Sequence, residues 1–367
     1  GRAGVVMSSQ ASSAGRDEAT VRQKMVETGA VDVMIDIRGN FFYTRTVPCQ
    51  LWFLDRAKER DEKRFDSVLM IDARNIYRKV SRAIYDFSPE QQKNIAAIVW
   101  LYRGQGSRFL QLVESYIDQA VTDGEAADGQ LAGLAQALDK LMGLAKPFAT
   151  TKRDPDPLAE TWAELAALRA TLADDIKAFN AEFAARAKDW AKAGRDNKGL
   201  NGARKALHVL VEQCRDLTKQ IDHAAKLSGR VIDIAVKDLE ARDSDDWSSA
   251  EITRVRKALE TARAETVEAL RKTRYFVKQA DWLQDRFPDA ALRDVEGLVK
   301  LVDRDKMKSH DWSLTPGRYV GVAPEEVNED FDFEEALRSI HIDLKGLNEE
   351  AAQLMALIAK NFEELGA

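Results

Sequence analysis

The sequence predicts an α/β segment followed by a mainly α chain, made of a long antiparallel helical bundle and a C-terminal coiled-coil-type helix. Three observations lead there. The first seventy or so residues alternate short apolar runs with one amphipathic stretch, the pattern of an α/β sheet. From Ser88 onward, apolar residues recur at three- and four-residue spacing almost without interruption, as they do on one face of a helix. The last periodic stretch keeps a single apolar seam at seven-residue spacing, which is coiled-coil geometry. The expected segments are 1–111, 112–290 and 291–367.

Taken in order, the run Ala3 to Met7 reads as the middle of a buried strand, and implies further chain upstream of Gly1. A Ser/Gly-rich turn, SSQASSAGRD, leads to the amphipathic helix EATVRQKMVETGA, which carries Val21, Met25 and Val26 and ends at Gly29 as a C-cap. Strands are predicted over 31–37, 47–54 (interrupted early by Pro48) and 67–71. Ser88-Pro89-Glu90-Gln91 supplies an N-cap, a proline at the first helical position and a capping-box glutamine. Short helices are expected over 108–120 and 130–144, with KRDPDP (152–157) as a breaker.

Three long helices follow. Their seams are Leu158, Trp162, Leu165, Leu172, Ile176, Phe179, Phe183 and Trp190; then Leu207, Leu210, Cys214, Leu217, Ile221, Ala224 and Val231; then Ile252, Val255, Leu259, Ala262, Ala269, Phe276 and Leu283. Sustained repeats of this kind pack helices side by side, each about 50 Å long at 1.5 Å per residue. The breakers GRDNKG and RDSDDWSS suit tight reversals, so the arrangement is an antiparallel hairpin or a three-helix bundle. Beyond it, 314–326 is turn-rich and extended, and NEDFDFEE is an acidic loop. The final helix presents Leu337, Ile340, Leu344, Leu347, Ala351, Leu354 and Ile358 at heptad spacing. That seam either pairs with another chain or folds back on its own bundle.

Composition narrows the function. With 32% charged residues the chain has no apolar run near the roughly 20 residues of a membrane span, and GRAGVVMSSQ lacks the regions of a secretory signal. The expectation is a cytoplasmic protein with no membrane partner. Cys49 and Cys214 have no metal-type spacing, and His208, His223, His310 and His341 form no ligand pair, so no metal is expected. A net charge of −6 argues against a free-standing nucleic-acid binder, while leaving room for a local basic surface or a basic partner subunit.

The chemistry-bearing feature is Phe41-Phe42-Tyr43, three consecutive aromatics on a loop between two strands in a chain that is only 8% aromatic. Ligands of α/β sheets bind at loops beyond strand ends, and a base taken out of a duplex is held by stacking worth roughly 1–3 kcal/mol. The alternative is a hydrophobic plug beneath the loop. Asp32 and Asp36 share one side of a strand and are expected to face solvent or loop amides. Ser8, Ser9, Ser12 and Ser13 have no neighbouring histidine to activate them. Pro316-Gly317-Arg318-Tyr319 suits either a phosphate or the fixing of one part of the fold against another. Arg254, Arg256, Lys257, Arg271, Lys272 and Arg274 alternate with glutamates at helical neighbour spacing, as on a solvated face.

The run GRAGVVMSSQASSAGRDEATVRQKMVETGAVDVMIDIRGNFFYTRTVPCQLWFLDR, continued through VLMIDARN, resembles the later motifs of the catalytic domain in DNA N6-adenine methyltransferases, specifically the modification subunit of type I restriction-modification systems. GLVKLVDRDKMKSHDWSLTPGRYVGVAPEE and the acidic FDFEE segment are similar to the C-terminal tail of that subunit. Residues 158–285 match only as generic long helices. The resemblance implies the C-terminal part of a Rossmann-like methyltransferase sheet, in a subunit that transfers a methyl group from S-adenosylmethionine to adenine N6 in DNA, with specificity and restriction subunits as partners. It places the stacking aromatic at Phe42, with Phe41 and Tyr43 as lesser candidates, Asn40 and Thr44 bordering the adenine pocket, and Arg45 meeting a phosphate. The family's glycine turn for S-adenosylmethionine and its Asn-Pro-Pro loop are not found, and no Asn-Pro pair occurs. The donor is therefore expected to be bound mainly by residues upstream, and this chain alone to be inactive, since methyl transfer needs donor and acceptor held in line. The alternative is a non-catalytic helical assembly protein derived from a truncated methylase.

Overall fold

The computed structural model of the chain describes residues 1–41, 46–81, 84–150 and 156–322, together with 337, 340, 344, 348, 351–352, 354–359 and 361. They form two compact units, Gly1–Gly106 with Ala291–Ala367, and Ser107–Ala290.

The first unit is built on strands β1 (Arg2–Ser8), β2 (Val31–Ile37), β3 (Cys49–Asp55) and β4 (Ser67–Asp72), helix α1 (Asp17–Glu27), a small antiparallel pair β5 (Arg78–Ser81) and β6 (Ile84–Asp86), and helix α2 (Pro89–Tyr102). The runs VDVMIDI and SVLMID carry Val, Met, Ile and Leu at most positions because both lie in the sheet interior, β2 buried along its whole length, aspartates included; the two pair in parallel, with both faces covered. β3 begins one residue after Pro48, which lacks the N–H a ladder needs. Gly29, at φ +74°, takes the left-handed position that stops α1. The capping box at Ser88 forms as the sequence predicts: the Ser88 hydroxyl accepts from Gln91 N, and Gln91 Oε1 accepts from Ser88 N at 2.9 Å.

Two expectations for this unit are overturned. β1 is an exposed edge strand rather than a buried one: among the described residues it pairs with β3 alone, and Val5 and Val6 are 43% and 52% exposed. The segment after 291 is no separate tail. It supplies β7 (Val299–Asp303), which pairs antiparallel with β4 and completes the order β1-β3-β2-β4-β7. Behind it, α8 (Arg304–Ser309) and the following turn drive Met307, Leu314, Tyr319 and Val320 into one core with Val26, Met34, Trp52 and Met70.

In the second unit, 106–145 is one continuous helix, α3 (Gly106–Ala145), rather than two short ones. Its buried residues run unbroken from Phe109 through Tyr116, Gly124 and Leu131 to Leu141, so the glycines between do not end it. α4 (Pro157–Lys192), α5 (Asn197–Leu207), α6 (Val209–Asp238) and α7 (Ser249–Arg286) follow. Four long helices therefore replace the expected hairpin or three-helix bundle. Cross-pairs give the directions: Asp118 with Trp190 and Asp139 with Arg169 set α3 against α4, Tyr116 with Phe276 and Lys140 with Glu251 set α3 against α7, and Asp222 with Arg263 and Asp233 with Arg256 set α6 against α7. Each set is antiparallel, since one number rises as the other falls. The basic residues of α7 meet acidic neighbours, Arg254 with Glu251 and Lys272 with Glu268, as a solvated face requires.

Candidate functional site

The C-terminal ends of the parallel strands β2 and β4 lie side by side, with Asp36 in register with Asp72. From there the chain leaves β2 through Arg38, Gly39, Asn40 and Phe41 and returns through Thr46 to β3. The two stems of this loop close on each other. Asn40 N donates to Thr46 O at 3.2 Å, and a Cβ on Gly39 would stand 2.5 Å from the same oxygen, so only glycine permits the approach. Asn40 has φ +62°, a conformation asparagine tolerates better than most residues.

The loop is also tied to the β5–β6 pair. Tyr85 N donates to Asn40 O at 3.0 Å, and the Phe41 ring packs on Phe87 with centroids 4.4 Å apart. Tyr77 and Tyr85 meet edge to face, 5.1 Å apart at 85°. Arg38 places its guanidinium carbon 4.0 Å and 3.7 Å from their centroids, in the right angle between two π faces that attract a cation. The capping glutamine of α2 reaches this wall as well, Gln91 Nε2 donating to Tyr77 O at 3.0 Å, and Arg78 forks onto Asp86 across the strand pair.

The two aspartates of β2 do not face solvent. Asp36 is buried; it accepts from Gln50 Nε2 at 2.5 Å and from Gly317 N at 3.3 Å. Burial pushes its carboxyl above the usual range, against the pull of the Gln50 and Gly317 hydrogen bonds. Beside it, Asp72 forks onto Arg74, and Gly317 sits where a Cβ would meet Arg74 Nη2 at 2.7 Å. The Pro-Gly-Arg-Tyr segment thus fixes the chain's later part to the strand ends, its Tyr319 hydroxyl donating to Ser313 O at 2.7 Å. At the opposite end of β2, Asp32 is fully buried between Arg64 (3.3 Å) and Arg103 (2.7 Å). Lys58, also buried, donates to Val31 O, and burial lowers its ammonium pKa to about 8. Asp32 and Asp36 are structural groups, compensated where they are buried.

Of the expected base-binding residues, Asn40 and Phe41 hold the positions just given; Phe42, Tyr43, Thr44 and Arg45 lie outside the described residues. Of the seam, Leu337, Ile340, Leu344, Leu354 and Ile358 are helical and 46–58% exposed, and Leu347 lies outside the described residues. Arg38, Tyr77 and Tyr85 had no sequence signal as a group. Among the described residues no cluster of His, Cys, Asp or Glu is placed to hold a metal, and no helix is long and apolar enough to cross a membrane.

Residues 1–117, which contain this loop and its aromatic wall, match the family model described as N-6 DNA Methylase. The chain is 34% identical over 95 residues to the type I restriction enzyme MjaIX methylase subunit of Methanocaldococcus jannaschii, covering 26% of this chain and 17% of that protein. It is 30% identical over 109 residues to the type I restriction enzyme HindI methylase subunit of Haemophilus influenzae, covering 30% of this chain and 22% of that protein. The chain thus matches about a fifth of the length of these curated relatives. A crystal structure of the methyltransferase subunit of the type I restriction-modification system from Streptococcus thermophilus aligns over 26% of this chain and 19% of that one, at 23% identity and a TM-score of 0.23.

A methylase of this kind implies S-adenosylmethionine, which carries a carboxylate and a nucleoside. The described groups at the loop end of the sheet do not fit it by themselves: both Asp36 oxygens accept from Gln50 and Gly317, and Asp72 is taken up by Arg74.

Proposed function

We propose that this chain is part of the methylase subunit of a type I restriction-modification system, which transfers a methyl group from S-adenosylmethionine to adenine N6 in DNA and works in the cytoplasm with specificity and restriction subunits. The observation that carries the reading is the N-6 DNA methylase match over 1–117, on a segment whose aromatic loop springs from the C-terminal end of a parallel strand, where sheet ligands bind. The mixed sheet is then the C-terminal part of a Rossmann-like methyltransferase sheet. The exposed heptad seam of 337–358 is the coiled-coil-type surface for the specificity subunit.

In this reading the chain's own contribution is to hold the base. Phe42 stacks on an extruded adenine, with Phe41 and Tyr43 as lesser candidates; Asn40 borders the pocket and Arg45 meets the DNA backbone. The closed stem at Gly39 and the anchor of Phe41 on Phe87 support it, because a stacking ring must be held at a fixed height to orient the exocyclic amine. Donor binding and the groups that polarise the amine are assigned to polypeptide other than these 367 residues, and the chain alone is inactive.

Phe42→Ala in the reconstituted assembly tests the reading. Loss of one stacked ring, roughly 1–3 kcal/mol, lowers methylation by about ten- to a hundredfold while the subunits still assemble. Normal methylation by that variant removes the stacking assignment. The second reading is a non-catalytic helical assembly protein derived from a truncated methylase; an assembly that forms on DNA and methylates no adenine would establish it.

A further inference from the structure

A guanidinium buried against protein ordinarily meets a carboxylate or a row of carbonyls, because its five N–H donors are costly to leave unpaired. Other buried or partly buried arginines of the first unit follow that rule: Arg22 donates to three backbone carbonyls, and Arg64 and Arg103 share Asp32 even though Arg103 Nε itself has no acceptor; the more exposed Arg74 forks onto Asp72 and Arg78 onto Asp86. Arg38 does not. It is half-buried, its Nε has no accessible surface and no acceptor, and among the described residues it makes neither an ion pair nor a hydrogen bond. What holds it is the corner of Tyr77 and Tyr85.

That corner is built. Tyr77 is fixed through its carbonyl by Gln91, which the α2 capping box already orients. Tyr85 is fixed through its N–H by Asn40, two residues beyond Arg38 on the same loop. Asp86, the carboxylate next in sequence to Tyr85, is occupied by Arg78, and Asp36, two residues before Arg38, is occupied by Gln50 and Gly317. The nearby acids that might have neutralised Arg38 are therefore spoken for. The cation is retained at a set position against two nearly perpendicular rings, and with Nε covered it is the two Nη groups, unpaired among the described residues, that are left to bind an oxyanion through parallel N–H···O bonds.

We infer that Arg38 is a DNA phosphate-binding residue, taking a backbone phosphodiester next to the base held by the adjoining loop. The inference rests on the proposed methylase function and deepens it, since the position is one residue from Gly39 and four from Phe42. Tyr77 and Tyr85 act as positioning residues: they hold the guanidinium without competing for its donors, as a carboxylate would.

The test is salt-dependent binding by the complete methylase assembly to a labelled duplex that carries its modification sequence, identified from the adenines methylated by the wild type. Each phosphate contact contributes about 0.9 to the slope of log affinity against log salt. Arg38→Ala is expected to make that slope shallower by about that amount and to weaken binding by about tenfold or more at low salt, and Arg38→Lys to restore the slope but only part of the affinity. A merely structural role for Arg38 lowers the melting temperature and leaves the slope of the folded fraction unchanged. If the alanine variant does not fold, the lysine and glutamine variants give the same comparison, charge kept against charge lost. An unchanged slope on loss of the charge overturns the inference while wild-type methylation leaves the methylase reading intact. Loss of S-adenosylmethionine affinity with an unchanged DNA slope also overturns it, by showing that the donor's carboxylate is the anion. If the wild-type assembly methylates no adenine, the methylase reading fails and this inference falls with it.

Discussion

Gly39→Ala tests how tightly the loop between β2 and β3 is set. The new Cβ would stand 2.5 Å from Thr46 O, and because that atom is backbone the clash is not relieved by a side-chain rotation. Ordinary contact requires a retreat of about 0.9 Å. Asn40 N already sits 3.2 Å from the same oxygen, so a retreat of that size breaks the one hydrogen bond that closes the stem, at a net loss of about 0.5–1.5 kcal/mol. The sheet does not share the strain: β2 ends two residues earlier, and the strand-end groups Asp36, Gln50 and Gly317 bond to one another. The melting temperature is therefore expected to fall by no more than a few degrees. In the proposed reading the base-stacking residue follows this stem in sequence, and a displacement near 1 Å at a reacting group costs about a hundredfold in rate. The assay is single-turnover methylation by the complete assembly, beside thermal unfolding of the same preparation. Methylation within about threefold of wild type refutes the argument, as does a loss of activity that tracks global unfolding.

The remaining predictions concern the partner seam, the bundle and the buried charge. Leu344→Lys with Leu354→Lys should release the specificity subunit without lowering the chain's own melting temperature, because both side chains are more than half exposed; an intact complex by size-exclusion chromatography counts against the seam. Gly124→Ala would bring a Cβ within 2.2 Å of a ring carbon of buried Phe183, itself stacked 6.0 Å from Phe179. Overpacking of about 1–3 kcal/mol then exceeds the gain of up to about 1 kcal/mol in helix propensity. Thermal melting should fall, and should recover when Phe183→Leu is added; a raised melting temperature in the single variant contradicts this. Lys58 has its pKa lowered from 10.5 to about 8 in the fold, so the unfolded chain binds more protons between those values and stability rises with pH across the window, by ~3 kcal/mol in the limit. Lys58→Met should flatten that rise between pH 8 and 10, and parallel melting profiles for the two proteins would show that the lysine is not titrating.

Much of the local architecture was legible in the sequence because its causes are local. Alternation placed β2 and a uniformly apolar run placed β4, the apolar run broken early by Pro48 placed β3, Gly29 marked the end of α1, and Ser88 with Gln91 the start of α2. The methylase resemblance lay in the same stretch that the family model matches. Each of these depends on residues a few positions apart, whose steric and hydrogen-bonding demands are fixed by the chain itself.

What only the tertiary structure decided involves partners distant in sequence. Nothing near Ala3–Met7 marks β1 as an edge; that follows from its having β3 alone as a described neighbour. Gly124 leaves room within α3 for the Phe183 ring of α4, a contact no residue near it in sequence foretells. Asp32 and Asp36 are tolerated inside because Arg64, Arg103, Gln50 and Gly317 are brought to them, and β7 joins a strand more than two hundred residues earlier. Arg38 owes its corner to tyrosines 39 and 47 positions further on. A residue's type states whether it needs a partner; which group meets that need, or whether a charge is left to bind something else, is settled only when the sheet brings remote segments within reach.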